Sequence, residues 1–419
     1  MSDTSFIDLS TTFVRDFSNF YLKRNPFPSI GIPEDAPLIT VDRERMIRQF
    51  RRMVADIQKE NNSKLTVIVG EYGSGKSHLF KIFKNNVNTQ LFNQDNGMIA
   101  SYIKSPEENF TTFVLEFIDD IGEETFVNLA IDVVFKYLQN LSVEKLKTYI
   151  FNKDVIKQIQ ENSINYKTII ESLKSTSLIQ DVRAVIWGGV TNKDVVNAFV
   201  RLALPTTRTS AWNWFSGDTF NKTQMDEINV SNTITKENAL EVFLSIKQLF
   251  QNIGIKYVAI FIDELEKITF LTPRSQARYQ SDIRRFIDSC PTNTMFYFAI
   301  SPQQWEELTE SRSALMRRLS GNWIFLEDFE KKDVIELIQL YLYRVRAENY
   351  TLKDVPSNID PSLYPFTNDS IDTILDLTEG IVSSILLLCR KSLDYLHDNV
   401  KKYKYINDEV VKEAFKSRG

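Results

Sequence analysis

Apolar residues along this chain follow two patterns. Nearly unbroken apolar runs occur at 65–69, 97–103, 257–262, 295–300 and 323–326. Runs of this kind, short and rich in β-branched and aromatic residues, predict strands buried on both faces, as in a parallel sheet. Elsewhere apolar positions recur every three or four residues, which predicts amphipathic helices. Such stretches cover about 43–59, the segment following Lys76, 110–118, 123–139, 142–160, 166–175 and 192–203. After residue 329 the pattern is helical throughout, at 330–347, 368–378, 380–397 and 406–416. The fold class is therefore α/β, with a parallel sheet, a long helical region inside it and a helical end.

The first run leads into Gly70-Glu71-Tyr72-Gly73-Ser74-Gly75-Lys76-Ser77, which fits G-x-x-x-x-G-K-[ST] at every fixed position. His78 and the residues after it have helical spacing. A buried strand, a glycine turn and a helix start together make a site for a triphosphate. The glycines let backbone N–H groups close around phosphates, and the helix end adds a positive dipole. Lys76 suits the β- and γ-phosphates, and the Ser77 hydroxyl suits Mg²⁺. The chain is expected to bind a nucleoside triphosphate.

A metal-holding acid is expected at the end of another buried strand. The run at 257–262 ends in Asp263-Glu264. Asp263 would hold Mg²⁺ through its water shell, and Glu264, pointing differently, would polarise the attacking water. The plain alternative is that these acids cap the turn that continues through Glu266 and Lys267. The run at 295–300 ends in Ser301-Pro302, a helix-start signature. Arg317 and Arg318 lie on a short helix ahead of the last apolar run.

Composition narrows the classes. Of 419 residues, 43% are apolar and 25% charged, as in ordinary globular proteins, and the length suits two or three domains. The net charge of −5 removes any global basic character, so a nucleic-acid site would be a local patch. Arg43, Arg45, Arg48, Arg51 and Arg52 make one helix locally basic, which reads first as a solvated face and second as a DNA-phosphate or subunit surface. Cys290 and Cys389 are too few for a disulfide framework or zinc site, which fits a reducing cytosol. His78 and His397 are the only histidines, which argues against histidine acid/base or metal chemistry. No apolar stretch approaches the roughly 18 residues of a membrane span, and the N-terminus lacks a signal-peptide profile. Trp212-Asn213-Trp214-Phe215-Ser216-Gly217 reads as a compact aromatic turn whose tryptophans anchor a core.

The ordered set Gly70 to Ser77, Asp263-Glu264, Ser301, Arg317/Arg318 and a helical C-terminal region resembles the AAA+ superfamily, in particular the branch of origin-recognition and transposition-regulator ATPases. The resemblance implies an AAA+ P-loop core with a parallel five-stranded sheet, a large mostly helical insertion and a C-terminal helical lid. It places a lead-in at 1–38, the core at 39–106 and 236–328, the insertion at 107–235 and the lid at 329–419. It implies adenine contacts at Ile39 and Val41, a γ-phosphate or water sensor at Ser301, and an arginine finger for a neighbouring subunit at Arg317 or Arg318, with Arg317 preferred. In the lid, Gly380-Ile381-Val382-Ser383 puts serine where such lids carry a second sensor arginine, and Arg390 is a poor substitute. No winged-helix segment follows the lid. The whole-chain layout, including Trp214 to Gly217 and the late Asp263-Glu264, is similar to the P-loop ATP-binding proteins of BREX-type phage-defence islands. The expectation is thus a cytoplasmic, homo-oligomeric ATPase using ATP and Mg²⁺ on a DNA-associated complex, without a membrane partner. The rival is a nucleotide-gated assembly platform or switch with slow turnover. A RecA-type helicase is disfavoured for want of a second core domain.

Overall fold

Five strands, β1 (Lys64–Val69), β2 (Gly97–Ile103), β3 (Ile255–Ile262), β4 (Thr294–Ile300) and β5 (Trp323–Phe325), form one sheet in the order β2-β3-β4-β1-β5. All four pairings are parallel. The computed structural model describes residues 15–29, 40–104, 109–150, 153–161, 169, 177–218, 221–311, 313–348, 350, 355 and 359–417. Every residue of β4 is buried, as are the last four of β1 and the last six of β3, which is why these segments are apolar without alternation. β5 is the edge strand and does alternate: Ile324 is buried while Trp323 and Phe325 are exposed. The strand β4 lies between the strand that leads into the glycine loop and the strand that ends in Asp263. That intercalated strand is the arrangement the AAA+ resemblance implies, and the five-stranded parallel sheet is present as expected.

Register aligns the functional strand ends. Val69 pairs with Ile300, and Ile262 pairs with Phe298. Because the strands are parallel, the residues following Val69, Ile262 and Ile300 all leave the same carboxyl edge of the sheet.

The chain divides into two compact units. One comprises Gln49–Val69 and Leu79–Phe325, and holds the sheet and the helical region between β2 and β3. Its core on one side of the sheet is aromatic: the Phe50 and Phe83 rings stack at 4.1 Å, and both approach Phe261 and Tyr297. Helices Phe110–Ile121, Glu123–Gln139, Lys193–Leu202, Arg208–Ser216 and Ala239–Asn252 build the other part through Phe117 against Phe243 and Phe126 against Phe215. The second unit comprises Met1–Arg48, Gly70–His78 and Leu326–Gly419. Helices Lys331–Tyr343, Asn368–Thr378, Val382–Asp398 and Asp408–Lys416 enclose its core, and Val41 with Phe17, Phe20, Leu22 and Phe27 of the lead-in complete it. Among the described residues no helix is long and apolar enough to cross a membrane.

Two local readings change and a third lies largely outside the described residues. The stretch 142–160 is two helices, Val143–Tyr149 and Lys153–Gln160, because Ile150 takes extended backbone. The stretch 166–175 lies outside the described residues except for Ile169, which is buried. The aromatic segment at Trp212 is not a turn but the body of helix Arg208–Ser216, with Gly217 as its left-handed C-cap (φ +74). A run of aromatics has no helical period to read, so only the terminal glycine betrayed the helix. Trp214 is nonetheless the expected anchor: it is 1% exposed and its indole N–H donates to the Asn232 carbonyl at 2.7 Å. Trp214→Phe keeps most of the buried area but orphans that carbonyl. It should cost about 1–3 kcal/mol, seen as a lower urea midpoint; an unchanged midpoint would mean the anchor is apolar packing alone.

Candidate nucleotide site

The glycine loop continues β1 into helix Lys76–Gln90. Its turn closes with the Ser74 N–H donating to the Glu71 carbonyl at 3.1 Å. Gly73 (φ +86) and Gly75 (φ +99) hold left-handed backbone that other residues rarely adopt. A side chain at Gly70 would meet the Leu326 Cβ and the Ser74 Oγ, each at 2.9 Å. Lys76 is buried, and its ammonium donates to the carbonyls of Gly70 at 2.7 Å and Glu71 at 2.9 Å, so the lysine curls back over the loop. Ser77 and His78 are half-buried, Glu71 is exposed, and Tyr72 is 82% exposed at the tip. The Ser74 hydroxyl is buried and has no hydrogen-bond partner among the described residues. A Cβ at Gly75 would meet nothing within 4 Å. An orphaned hydroxyl beside open glycine backbone is the donor-rich cradle a phosphate needs.

The same unit grips this loop from outside. Arg43 precedes helix Glu44–Glu60 and is 7% exposed. Its guanidinium donates to the Ser74 carbonyl at 3.0 Å and the Asp42 carbonyl at 3.1 Å, and lies 4.9 Å from the Phe329 ring centroid. Burial lowers the Arg43 pKa from its ordinary value, and the nearby carboxylates of Asp42 and Asp333 work against that. Arg43 therefore leaves the solvated basic face, whereas Arg45, Arg48, Arg51 and Arg52 are exposed as expected of one. On the other side the Ser383 N–H donates to the Gly73 carbonyl at 3.1 Å. A Cβ at Gly73 would stand 2.1 Å from the Ser383 hydroxyl. Val41 is 3% exposed in this unit's apolar core, and Ile39 lies outside the described residues. Arg390 donates to the Phe27 carbonyl at 2.6 Å and so is committed to the lead-in.

The acidic pair belongs to the other unit. Asp263 is 2% exposed, with one carboxylate oxygen accepting from the Glu264 N–H at 2.9 Å and the other from the Tyr102 hydroxyl at 2.9 Å. Glu264 has φ +49, a strained setting for a residue with a side chain, costing on the order of 1–3 kcal/mol. It stands at the N-cap of the turn Leu265–Phe270 and makes no side-chain cap bond among the described residues. Its carboxylate pairs with the Lys267 ammonium at 2.6 Å. That pair raises the Lys267 pKa above its ordinary value. Ser301 caps helix Pro302–Glu310, yet its hydroxyl lies 3.5 Å from the Gln304 N–H, a weak contact. Arg317 and Arg318 sit on the short helix Met316–Leu319. Arg318 pairs with Asp288 at 2.8 Å. Arg317 is exposed, lines a shallow cleft of about 300 Å³ with Thr309, Ser313, Met316 and Ser320, and makes no ion pair among the described residues.

The candidates thus form two groups, Gly70 to His78 in one unit and Asp263, Glu264 and Ser301 at the strand ends of the other. Among the described residues no cluster of three or more His, Cys, Asp or Glu side chains could hold a metal. Asp263 and the Ser77 hydroxyl offer single oxygen donors, the ligand chemistry that suits Mg²⁺. Sequence reasoning passed over Tyr102, Lys267 and the buried role of Arg43. A tyrosine at a strand end and a lysine within a charged turn carry no motif, and Arg43 was masked by four exposed neighbours.

Several solved structures are similar to the chain. They include the Aeropyrum pernix ORC2 protein with ADPNP and ADP (9% identity, 94% of this chain and 71% of that one, TM-score 0.47) and Cdc6p from Pyrobaculum aerophilum (10%, 93% and 69%, 0.42). The Aeropyrum pernix ORC1 protein in complex with DNA is another (10%, 92% and 67%, 0.42). No curated protein matches the chain. The family model for the BREX system ATP-binding protein BrxC/D matches residues 22–352, most of the chain. With its glycine loop and acidic strand end inside the matched region, the chain belongs to the BREX system ATP-binding protein BrxC/D family.

Proposed function

We propose that this protein hydrolyses ATP at contacts between copies of itself and uses the cycle to remodel or license a DNA-associated complex in phage defence. The observation that carries the reading is the strained, uncapped Glu264 beside a buried Asp263 at a strand end, in a chain that also holds a complete phosphate loop. A loop alone supports binding; an acid held in unfavourable backbone geometry at the end of a buried strand supports chemistry. Lys76 releases the Gly70 and Glu71 carbonyls to take the β- and γ-phosphates, and the loop N–H groups hold the remaining oxygens. The Ser77 hydroxyl, with Asp263 through its water shell, would hold Mg²⁺, which neutralises phosphate charge when bound. Tyr102 fixes the Asp263 carboxylate. Glu264 orients and deprotonates the attacking water, and Ser301, only weakly engaged as a cap, contacts the γ-phosphate or that water. Arg317 serves a neighbouring copy in preference to Arg318, whose guanidinium is spent on Asp288.

A second reading, an ATP-gated assembly platform with slow turnover, is favoured by one observation. The Glu264 carboxylate is paired with Lys267, and a base so engaged is slow until released.

Glu264→Gln should retain ATP and lose turnover by about a hundredfold or more, read as phosphate release against bound nucleotide; undiminished turnover would remove Glu264 from the chemistry. If the platform reading holds, Glu264→Gln keeps phage protection and Lys76→Ala loses it, whereas an enzyme loses protection with both. Specific ATPase activity should rise with protein concentration and again with double-stranded DNA at fixed salt. Arg317→Ala should lower it about a hundredfold and Arg318→Ala by less than tenfold. A flat rate that ignores both Arg317 and DNA would refute trans catalysis.

A further inference from the structure

We infer that Arg43 is a positioning residue through which the helical module around Lys331–Tyr343 and Val382–Asp398 reads nucleotide on the loop. The inference rests on ATP binding at Gly70–Ser77 and deepens that reading by assigning the route by which binding is felt.

The argument begins with the peptide plane. A trans peptide points its C=O and the following N–H in opposite directions. Holding the Ser74 carbonyl at 3.0 Å from Arg43 therefore aims the Gly75 N–H the other way. Gly75 is the residue whose surroundings are open, with nothing within 4 Å of an added Cβ. The guanidinium on one side of this peptide thus orients a donor that faces ligand on the other. One residue earlier the Ser383 N–H holds the Gly73 carbonyl at 3.1 Å, and the Ser74 N–H across that peptide closes the turn onto Glu71. Two successive loop carbonyls are fixed by groups that belong to the helical module or pack on it.

These contacts close into a ring. Arg43 stacks on Phe329 at 4.9 Å. The Phe329 N–H donates to the Gly380 carbonyl at 2.9 Å, and a Cβ at Gly380 would lie 2.5 Å from the Phe329 carbonyl oxygen, so these backbones are locked together. Gly380 leads into helix Val382–Asp398, whose first turn carries Ser383 and returns to Gly73. A phosphate that engages the Gly75 N–H polarises the same peptide whose carbonyl Arg43 holds, which strengthens that hydrogen bond. The gain is shared with Phe329 and the helices on either side of it. Serine at position 383 is then no defect: the module senses the loop's backbone rather than the γ-phosphate directly. The coupling is reciprocal, so weakening the ring on the module side must weaken ATP binding.

Arg43→Lys and Phe329→Leu test this. A lysine keeps the charge but is a single point donor that cannot hold two carbonyls and stack on a ring together. Phe329→Leu leaves every loop contact in place and removes only the ring under the guanidinium. Binding of a fluorescent ATP analogue, unfolding temperature without nucleotide, and hydrogen exchange of 331–343 and 382–398 with and without ATP are compared with the parent. The expected result is about tenfold weaker binding for Arg43→Lys and about threefold for Phe329→Leu, with loss of the ATP-dependent protection of both helices in folded protein. Parental affinity and parental protection in the two variants would overturn the proposal, as would absence of any ATP-dependent protection in the parent. If Arg43→Lys does not fold, Phe329→Leu decides the matter by the same readouts. Lys76→Ala, measured in parallel, separates the two levels. Should it lose ATP while Arg43→Lys keeps it, only the coupling falls; should it keep ATP, the loop is not the binding site.

Discussion

Parallel pairing of β1, β4 and β3, each buried on both faces, is the constraint on which the rest depends. Parallel strands bring their carboxyl ends to one edge, and the pairings of Val69 with Ile300 and Ile262 with Phe298 set the ends level to within about two residues. A slip of one residue would turn every core side chain of a strand to the opposite face. With both faces apolar, it is the fit of individual side chains that holds the register, and register fixes where Asp263 and Ser301 stand.

In each unit the candidate functional groups are held in settings that core residues avoid. Asp263 is buried with both oxygens accepting hydrogen bonds, Glu264 is strained, and the Ser74 hydroxyl is buried without a partner among the described residues. Each costs folding free energy, and the packing of the unit that holds it offsets the cost. Their occurrence in the glycine loop of one unit and at the acidic strand end of the other agrees with the membership of the chain in an ATP-binding family.

The second unit shows how one short loop can be stabilised from both sides. Arg43 is buried at the expense of solvation, and its hydrogen bonds to Ser74 and Asp42 and its place on Phe329 compensate. Close approach of Gly73 to Ser383 excludes any side chain at that glycine. The module and the loop are one packed object, so the loop's conformation is a property of the helices as well as of its glycines.

Much of this was written in the sequence by itself. Unbroken apolar runs gave the buried strands, a G-x-x-x-x-G-K-[ST] pattern gave the loop, and helical spacing gave Lys331–Tyr343, Asn368–Thr378, Val382–Asp398 and Asp408–Lys416 to within a few residues. These signals are local: each depends on residues a few positions apart along one element. What only the tertiary structure decided was long-range. Tyr102 reaches Asp263 across neighbouring strands, Arg43 and Ser383 reach the loop from distant segments, and Arg318 is taken up by Asp288 while Arg317 is not. Nothing in a linear pattern tells a buried arginine from four exposed ones. Burial is settled by what the rest of the chain brings alongside, and that is known only once the chain is folded.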